Sequence, residues 1–166
     1  MTVTRAALDV HYSKIGAAAA CVLFARWEDA APARVAALRV ASSVAAYVPG
    51  AFYLRELPCL LAVLRIVHEP LACVVIDGYA WLGDQRPGLG ARLYDAIGVP
   101  VVGVAKTPFR GAPAIEILRG QSKRPLFVTA AGMRAEEAAD RVKHMHGQFR
   151  VPTLLAATDR ACRDVL

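Results

Sequence analysis

The sequence predicts an α/β domain with a mixed sheet, in which an antiparallel three-strand meander is followed by parallel strands and flanked by helices. Three observations predict this class. Closely linked strand-like segments open the chain, helix-like and strand-like segments alternate afterwards, and turn residues separate them. The 166 residues fit one domain, so we treat residues 1–166 as a single unit.

The first part of the chain carries the meander. Residues 6–12 alternate between apolar and polar side chains, residues 16–26 are small and apolar, and residues 33–41 form a third strand candidate after Pro32. Short links between these segments favour antiparallel neighbours. The Pro49-Gly50 pair then predicts a turn over residues 47–50.

From Glu56 onward apolar residues recur every three or four positions, which predicts a helix with Pro58 in its first turn. The apolar run 72–76, which stops at Asp77, predicts a buried strand. Further helices are predicted at 88–97, 135–145 and 155–165, and further strands at 101–104, 113–118 and 126–129. Helical crossovers would make the later strands parallel, an arrangement found in the ribonuclease-H-like architecture.

The composition favours a phosphate-rich partner. The net charge is +6, and neutralising phosphates releases counterions, so DNA or RNA is the expected partner. The apolar stretch 15–25 is about half as long as a membrane-spanning helix. The N-terminus also lacks the order of a signal peptide, so we expect a cytoplasmic, monomeric protein without membrane contact. The 4 cysteines form no Cys-x-x-Cys pair and predict buried thiols.

Three acidic residues are candidates for chemistry. Asp9 lies inside an apolar strand, Asp77 ends a buried strand, and Glu56 lies at the edge of a helix stripe. A carboxylate beside buried strands is unfavourable unless it is paired or bound to a cation, and ligands bind at strand ends of α/β sheets. If the two strands are neighbours, their aspartates converge and favour a divalent cation, which supports phosphodiester hydrolysis.

Each acid also has an ordinary structural interpretation. Asp9 would be a solvent-facing carboxylate on an edge strand, Asp77 a turn residue at a strand end, and Glu56 a favourable charge at a helix start.

Several motifs together resemble the endonuclease V family over nearly the whole chain. They are Asp9-Val10-His11-Tyr12, Tyr47-Val48-Pro49-Gly50 with Leu54-Arg55-Glu56, Val75-Ile76-Asp77-Gly78, Gly103-Val104-Ala105-Lys106 and Phe149-Arg150-Val151-Pro152. The resemblance implies a ribonuclease-H-like fold and Mg²⁺-dependent cleavage, with Mn²⁺ as a substitute, of DNA or RNA on the 3′ side of inosine.

The resemblance also implies roles for individual residues. Asp9 and Asp77 would hold the metal, Glu56 would assist the metal or water, and Lys106 would approach the scissile phosphate. Asp159 falls at the family's last acidic or histidine position. The residues implied at the nucleic acid are Tyr47, Pro49 and Gly50, which form a wedge, and Gly78, Ala80, Arg86 and Gly88.

The sequence departs from the family after Asp77. Ala80 replaces a glycine that lets the backbone close on a flipped base, so its methyl group would reshape the pocket. Gly83 replaces a histidine expected near the phosphate, and Met133 replaces another histidine.

Three functions remain open at this point: a metal-dependent endonuclease acting near deaminated bases, a nucleic-acid-binding module that has lost catalysis, and a metal-dependent enzyme acting on a small phosphorylated substrate. Retention of all three acids favours the endonuclease, because a pure binder gains nothing from carboxylates beside a polyanion.

Overall fold

The computed structural model describes residues 2–40 and 53–166, and the predicted turn with Tyr47, Pro49 and Gly50 lies outside these ranges. Within them, the strands are β1 (Thr4–Ser13), β2 (Gly16–Phe24), β3 (Arg34–Val40), β4 (Leu71–Asp77), β5 (Trp81–Gly83), β6 (Arg86–Pro87), β7 (Val101–Ala105), β8 (Ile115–Ile117) and β9 (Leu126–Ala131). The helices are α1 (Tyr53–Leu64), α2 (Leu89–Ile97), α3 (Ala135–Lys143) and α4 (Thr153–Val165). None of the helices in the described ranges is long and apolar enough to cross a membrane.

The main sheet has seven strands in the order β3-β2-β1-β4-β7-β9-β8. The first three form the predicted antiparallel meander, and β4 and β7 run parallel to β1. The predicted mixed α/β sheet is therefore confirmed.

The parallel part of the sheet ends earlier than the sequence suggested. Strand β9 pairs antiparallel with β7, and β8 pairs antiparallel with β9. Parallel pairing needs a crossover of a dozen or more residues, usually a helix, to return the chain to the starting edge. No helix lies between β7 and β9, so the chain turns back and pairs antiparallel.

The two faces of the sheet carry separate cores. Helices α1 and α2 pack on one face, against residues such as Leu8 and Ile76. Helices α3 and α4 pack on the other face, against residues such as Ala7 and Val75. Because side chains alternate along a strand, these residues show which face each position of β1 and β4 presents.

Two details of the helices differ from the prediction. Helix α1 already includes Tyr53, so Pro58 lies inside the helix rather than in its first turn. In α4, Leu154 is buried together with Thr158 and Cys162, whereas Leu155 is only partly buried. Helix α4 therefore packs on the sheet through Leu154, Thr158 and Cys162, and Leu155 lies at the edge of this face.

The buried side chain of Arg119 fixes the segment that leads into α4. Its guanidinium donates hydrogen bonds to the carbonyl oxygens of Phe149 at 2.7 Å and Arg150 at 3.3 Å. It also bonds the carbonyls of Met145 and Gly147. Four backbone acceptors of one loop thus depend on a single cation, which is 4% exposed.

Replacing Arg119 with methionine should destabilise the protein by about 3 kcal/mol, because buried carbonyl groups would lose charge-assisted hydrogen bonds. Urea denaturation of the parent and the variant measures this difference. The exposed Arg65→Met change is the control and should alter stability by less than about 0.5 kcal/mol. Equal stability of Arg119→Met and the parent would contradict the assigned role.

Candidate active site

Asp9 and Asp77 lie side by side where the parallel pairing of β1 with β4 ends; Asp77 is the last residue of β4, and Asp9 lies inside β1. The last paired residues of β1 and β4 are Leu8 and Ile76, and the two aspartates follow them directly. Both point to the face that Ala7 and Val75 present, the face covered by α4. Strand β1 is internal, so the interpretation of Asp9 as an edge-strand carboxylate is wrong.

Lys106 follows the end of β7 and contacts this pair. Its Nζ lies 3.2 Å from Oδ2 of Asp77. Both side chains are more than 40% exposed, so solvent screens the attraction and leaves it weak. Lys106 is nevertheless placed where a compact positive charge reaches any anion held at Asp77.

Glu56 approaches the same point from α1. It is 7% exposed, although glutamate is rarely buried without a partner. Burial, and then the negative charges of Asp9 and Asp77, raise the pKa of Glu56 to about 8. The charge of Arg55 acts in the opposite direction but does not cancel this effect.

Asp9 and Asp159 complete the acidic group. Burial, and then the charge of Asp77, raise the pKa of Asp9 to about 7, and the charge of Asp159 adds to the increase. Asp159 lies on α4 and pairs with Arg163 at 3.1 Å. The structure therefore brings together all the acidic residues proposed from the sequence, together with Lys106.

The donor chemistry of this group fits a hard divalent cation, because every available ligand atom is a carboxylate oxygen. In residues 2–40 and 53–166, no three His, Cys, Asp or Glu side chains form a ready-made metal group. Burial, and then the repulsion between the acids, raise the pKa values of Asp9 and Glu56, and this repulsion opposes a closer approach of the carboxylates. A cation would remove this repulsion.

Two clefts meet at the acids and share Asp9, Asp77 and Lys106. The α4 cleft, on the α4 side, has a volume of about 460 Å³. The aromatic cleft, on the α1 and α2 side, has a volume of about 540 Å³ and includes Tyr79 and Phe109. The charged groups therefore lie between two cavities that are each large enough for a small organic group.

The aromatic cleft has features that the sequence analysis did not identify. The rings of Tyr79 and Phe109 are 5.9 Å apart, and the Tyr79 hydroxyl donates a 2.6 Å hydrogen bond to the carbonyl of Thr107. The guanidinium of Arg86 lies 5.7 Å from the Phe109 ring. In the sequence, an aromatic residue two positions after Asp77, Tyr79, is the feature that could have indicated this cleft.

The glycines around this cleft have distinct roles. Gly78, at φ +129°, and Gly88 both line the cleft. A Cβ atom at Gly88 would lie 2.7 Å from the carbonyl oxygen of Tyr79, so only glycine fits there. At Gly83, the family's histidine position, a Cβ atom would make ordinary van der Waals contacts, 3.7 Å from Cβ of Arg86 and 3.8 Å from the carbonyl oxygen of Gly111.

The expectation that Ala80 contacts nucleic acid is wrong for this arrangement. Ala80 is fully buried, and its methyl group packs against the start of α2 at Gly90. Its amide donates a 2.7 Å hydrogen bond to Oγ1 of Thr129. The extra methyl group is therefore accommodated behind the cleft wall instead of projecting into the pocket.

The strand order, with one carboxylate inside β1 and another at the end of β4, defines the chain as a ribonuclease-H-like domain with an acidic centre. The endonuclease V family model matches residues 2–124. Endonuclease V of Streptomyces avermitilis is 32% identical over 142 residues, and that of Rhodospirillum centenum is 31% identical over 148 residues. The chain belongs to the endonuclease V family, as the sequence motifs indicated.

Solved structures agree with this assignment. The S. avermitilis endonuclease V structure matches with a TM-score of 0.79 and 28% identity, over 98% of this chain and 81% of that chain. Ciona intestinalis endonuclease V in complex with inosine-containing DNA has a TM-score of 0.86 at 19% identity, over 98% and 84%. The matches to the two bacterial relatives cover 72% and 75% of this chain, and the chain spans 62% of the length of each relative.

The raised pKa of Asp9 predicts how stability depends on pH. Because the folded pKa is about 7 and the ordinary value is 3.8, the stabilising contribution is complete below about pH 4 and is lost as the pH rises through 7. In a metal chelator, the unfolding free energy of the parent should fall relative to Asp9→Asn by on the order of 4 kcal/mol between about pH 4 and pH 8.

Urea denaturation of both proteins across this pH range measures the difference. The Asp159→Asn variant serves for comparison and should behave more like the parent, because Asp159 contributes less to the repulsion than Asp77 does. Parallel pH profiles for the parent and Asp9→Asn would contradict the burial and repulsion inferred for this carboxyl group.

Proposed function

We propose that this protein is a metal-dependent endonuclease that hydrolyses phosphodiester bonds in DNA or RNA near deaminated bases, with inosine as the recognised base. The convergence of Asp9, Asp77, Glu56 and Lys106 between two clefts carries the proposal. Family membership supports it. The net charge of +6 also favours a polyanionic substrate.

Mg²⁺, with Mn²⁺ as a substitute, is the proposed cofactor. Asp9 and Asp77 would bind it, assisted by Glu56, because their oxygen ligands suit a hard cation. When bound, such a cation supplies an activated water and stabilises the leaving oxygen of the phosphodiester. The raised pKa values of Asp9 and Glu56 mean that metal binding would displace protons at neutral pH.

The chain's own residues then have separate tasks. Lys106, whose Nζ already lies at the carboxylate of Asp77, would hold a nonbridging oxygen of the scissile phosphate. Glu56, which reaches the acids from α1, would assist the metal or the attacking water once metal binding has displaced its proton. Asp159 would orient groups that enter from the α4 side.

The aromatic cleft is the proposed site of the recognised base. Tyr79 and Phe109 offer ring faces for stacking, which is independent of base identity, and the backbone at Gly78 and Gly88 allows close approach. The structure of Ciona intestinalis endonuclease V contains DNA with an inosine, which supports this choice of substrate. The wedge at Tyr47, Pro49 and Gly50 stays a prediction.

A cleavage assay tests this function. The parent, Asp77→Asn and Lys106→Met are incubated with end-labelled oligonucleotides that contain inosine or the matched normal base, with Mg²⁺, Mn²⁺ or a chelator. We expect metal-dependent cutting of the inosine strand by the parent, and at least about a hundredfold slower cutting by either variant, because each change removes charge stabilisation at the reacting phosphate.

Arg65→Gln, which follows the end of α1 and lines neither cleft, is the control and should cut at the parental rate. Binding without cutting under every metal condition would contradict the proposed enzyme activity and favour a binding module on the same fold. Equal cutting of the inosine strand and the matched normal strand would support the nuclease activity but contradict its specificity for a deaminated base.

Metal binding itself should be visible without substrate. At Mg²⁺ concentrations about tenfold above its dissociation constant, the melting temperature of the parent should rise by roughly 3–6 °C. The Asp77→Asn variant should show a much smaller rise, because it loses a ligand oxygen and a negative charge. Differential scanning fluorimetry with KCl at matched ionic strength separates binding from general salt effects. Equal shifts for both proteins would contradict the proposed ligands.

A further inference from the structure

The α4 cleft lies on the opposite side of the acids from the aromatic cleft, and the proposed base site leaves it without a function. Its floor is formed by Leu8, Val104 and Leu126 on the sheet. One wall is a face of α4 and the turn before it, with residues at intervals of three or four positions: Pro152, Leu155, Ala156, Asp159, Arg160 and Arg163. Its inner end is formed by Asp9, Asp77 and Lys106.

The wall of α4 offers one cation that has no partner in the described parts of the chain. Arg163 pairs with Asp159 at 3.1 Å, and Lys106 contacts Asp77 at 3.2 Å. Arg160 is exposed, lines the cleft, and makes no ion pair or side-chain hydrogen bond with residues 2–40 or 53–166. Its planar guanidinium is suited to bidentate binding of a phosphate group.

The apolar part of the cleft is suited to a ring system. Leu155 and Ala156 are partly buried, with Leu155 at the edge of the core under α4, and the buried Pro152 lines the cleft beside them. A partly accessible apolar wall next to a guanidinium without a partner among the described residues matches a nucleotide, which has an apolar face and an anionic phosphate. A purely anionic small molecule would leave the apolar wall uncovered.

The position of the acids indicates which part of a nucleic-acid strand would occupy the α4 cleft. The two clefts share Asp9, Asp77 and Lys106, so a nucleic-acid strand with one base in the aromatic cleft and its phosphate at Lys106 can continue past the acids into the α4 cleft. The cut bond lies at the acids, so the two clefts hold chain segments on opposite sides of it.

We propose that the α4 cleft binds the first nucleotide beyond the cut, on the 3′ side, with its sugar and base against Leu155 and Ala156 and with the phosphate that joins it to the next nucleotide held by Arg160. This inference rests on the proposed endonuclease function. It makes Arg160 a residue that binds the leaving part of the strand and takes no part in base recognition.

Substrates with shortened tails test the inference. The cut position is first mapped with the parent and Mg²⁺ on a long, single-stranded inosine oligonucleotide. Strands with the same 5′ part are then made to end at the cut or one, two or four nucleotides beyond it. Their dissociation constants are measured in EDTA by fluorescence anisotropy for the parent, Arg160→Gln, Arg160→Lys and Arg65→Gln.

For the parent, extension from one to two nucleotides beyond the cut adds the phosphate on the 3′ side of the first nucleotide and should tighten binding by about tenfold, as expected for a charge-assisted phosphate contact. Arg160→Gln should abolish most of this gain while changing the affinity for the tail-free strand by less than about twofold. Arg160→Lys should retain part of the gain, because it keeps the charge and loses the bidentate geometry. Arg65→Gln, which has the same net charge as Arg160→Gln, should behave like the parent.

Salt titration provides a second measurement. For strands with a tail, the slope of log Kd against log salt should fall by about 0.7 in Arg160→Gln, the value for one phosphate on a single strand. Equal weakening of all strands by Arg160→Gln, or no gain from the tail in the parent, would overturn the inference while leaving the endonuclease proposal intact. Failure of the parent to cut any strand would overturn both.

Discussion

The parallel pairing of β1 with β4 is the constraint on which the whole candidate site depends. It places Asp9 and Asp77 next to each other on one face of the sheet. The next strand, β7, is parallel as well, so its end brings Lys106 to the same edge. Helix α4 covers this face and adds Asp159, while α1 on the other face adds Glu56.

This arrangement costs stability in the protein alone. Partly burying carboxylates beside each other costs several kcal/mol, whereas an exposed ion pair such as Lys106 with Asp77 returns only about 0–1 kcal/mol. The lysine therefore does not offset the repulsion, and Asp9 and Glu56 respond with raised pKa values. A site that is electrostatically unfavourable alone but favourable with a cation and a phosphate is suited to binding both.

Several parts of the structure followed from local patterns. The apolar runs that became β4 and β7 are buried, and the acids at or near strand ends identified the reactive edge of the sheet. Other parts did not follow. Leu154 is fully buried and Leu155 only partly. Because both residues are leucine, their local sequence pattern cannot distinguish them, and the difference depends on how α4 docks on the sheet. Likewise, the effect of Ala80 depended on the neighbouring backbone at Gly90, which a linear motif does not show.

The sequence by itself determined the order of the elements, the acidic residues of the site and the family, because these depend on local hydrophobic periodicity and on motifs that each span a few residues. The tertiary structure decided which strands are neighbours, the antiparallel direction of β9, and the division of the site into two clefts. Those features depend on contacts between residues far apart in the chain. A carboxylate such as Asp9 becomes part of a site only when such contacts bring Asp77 beside it.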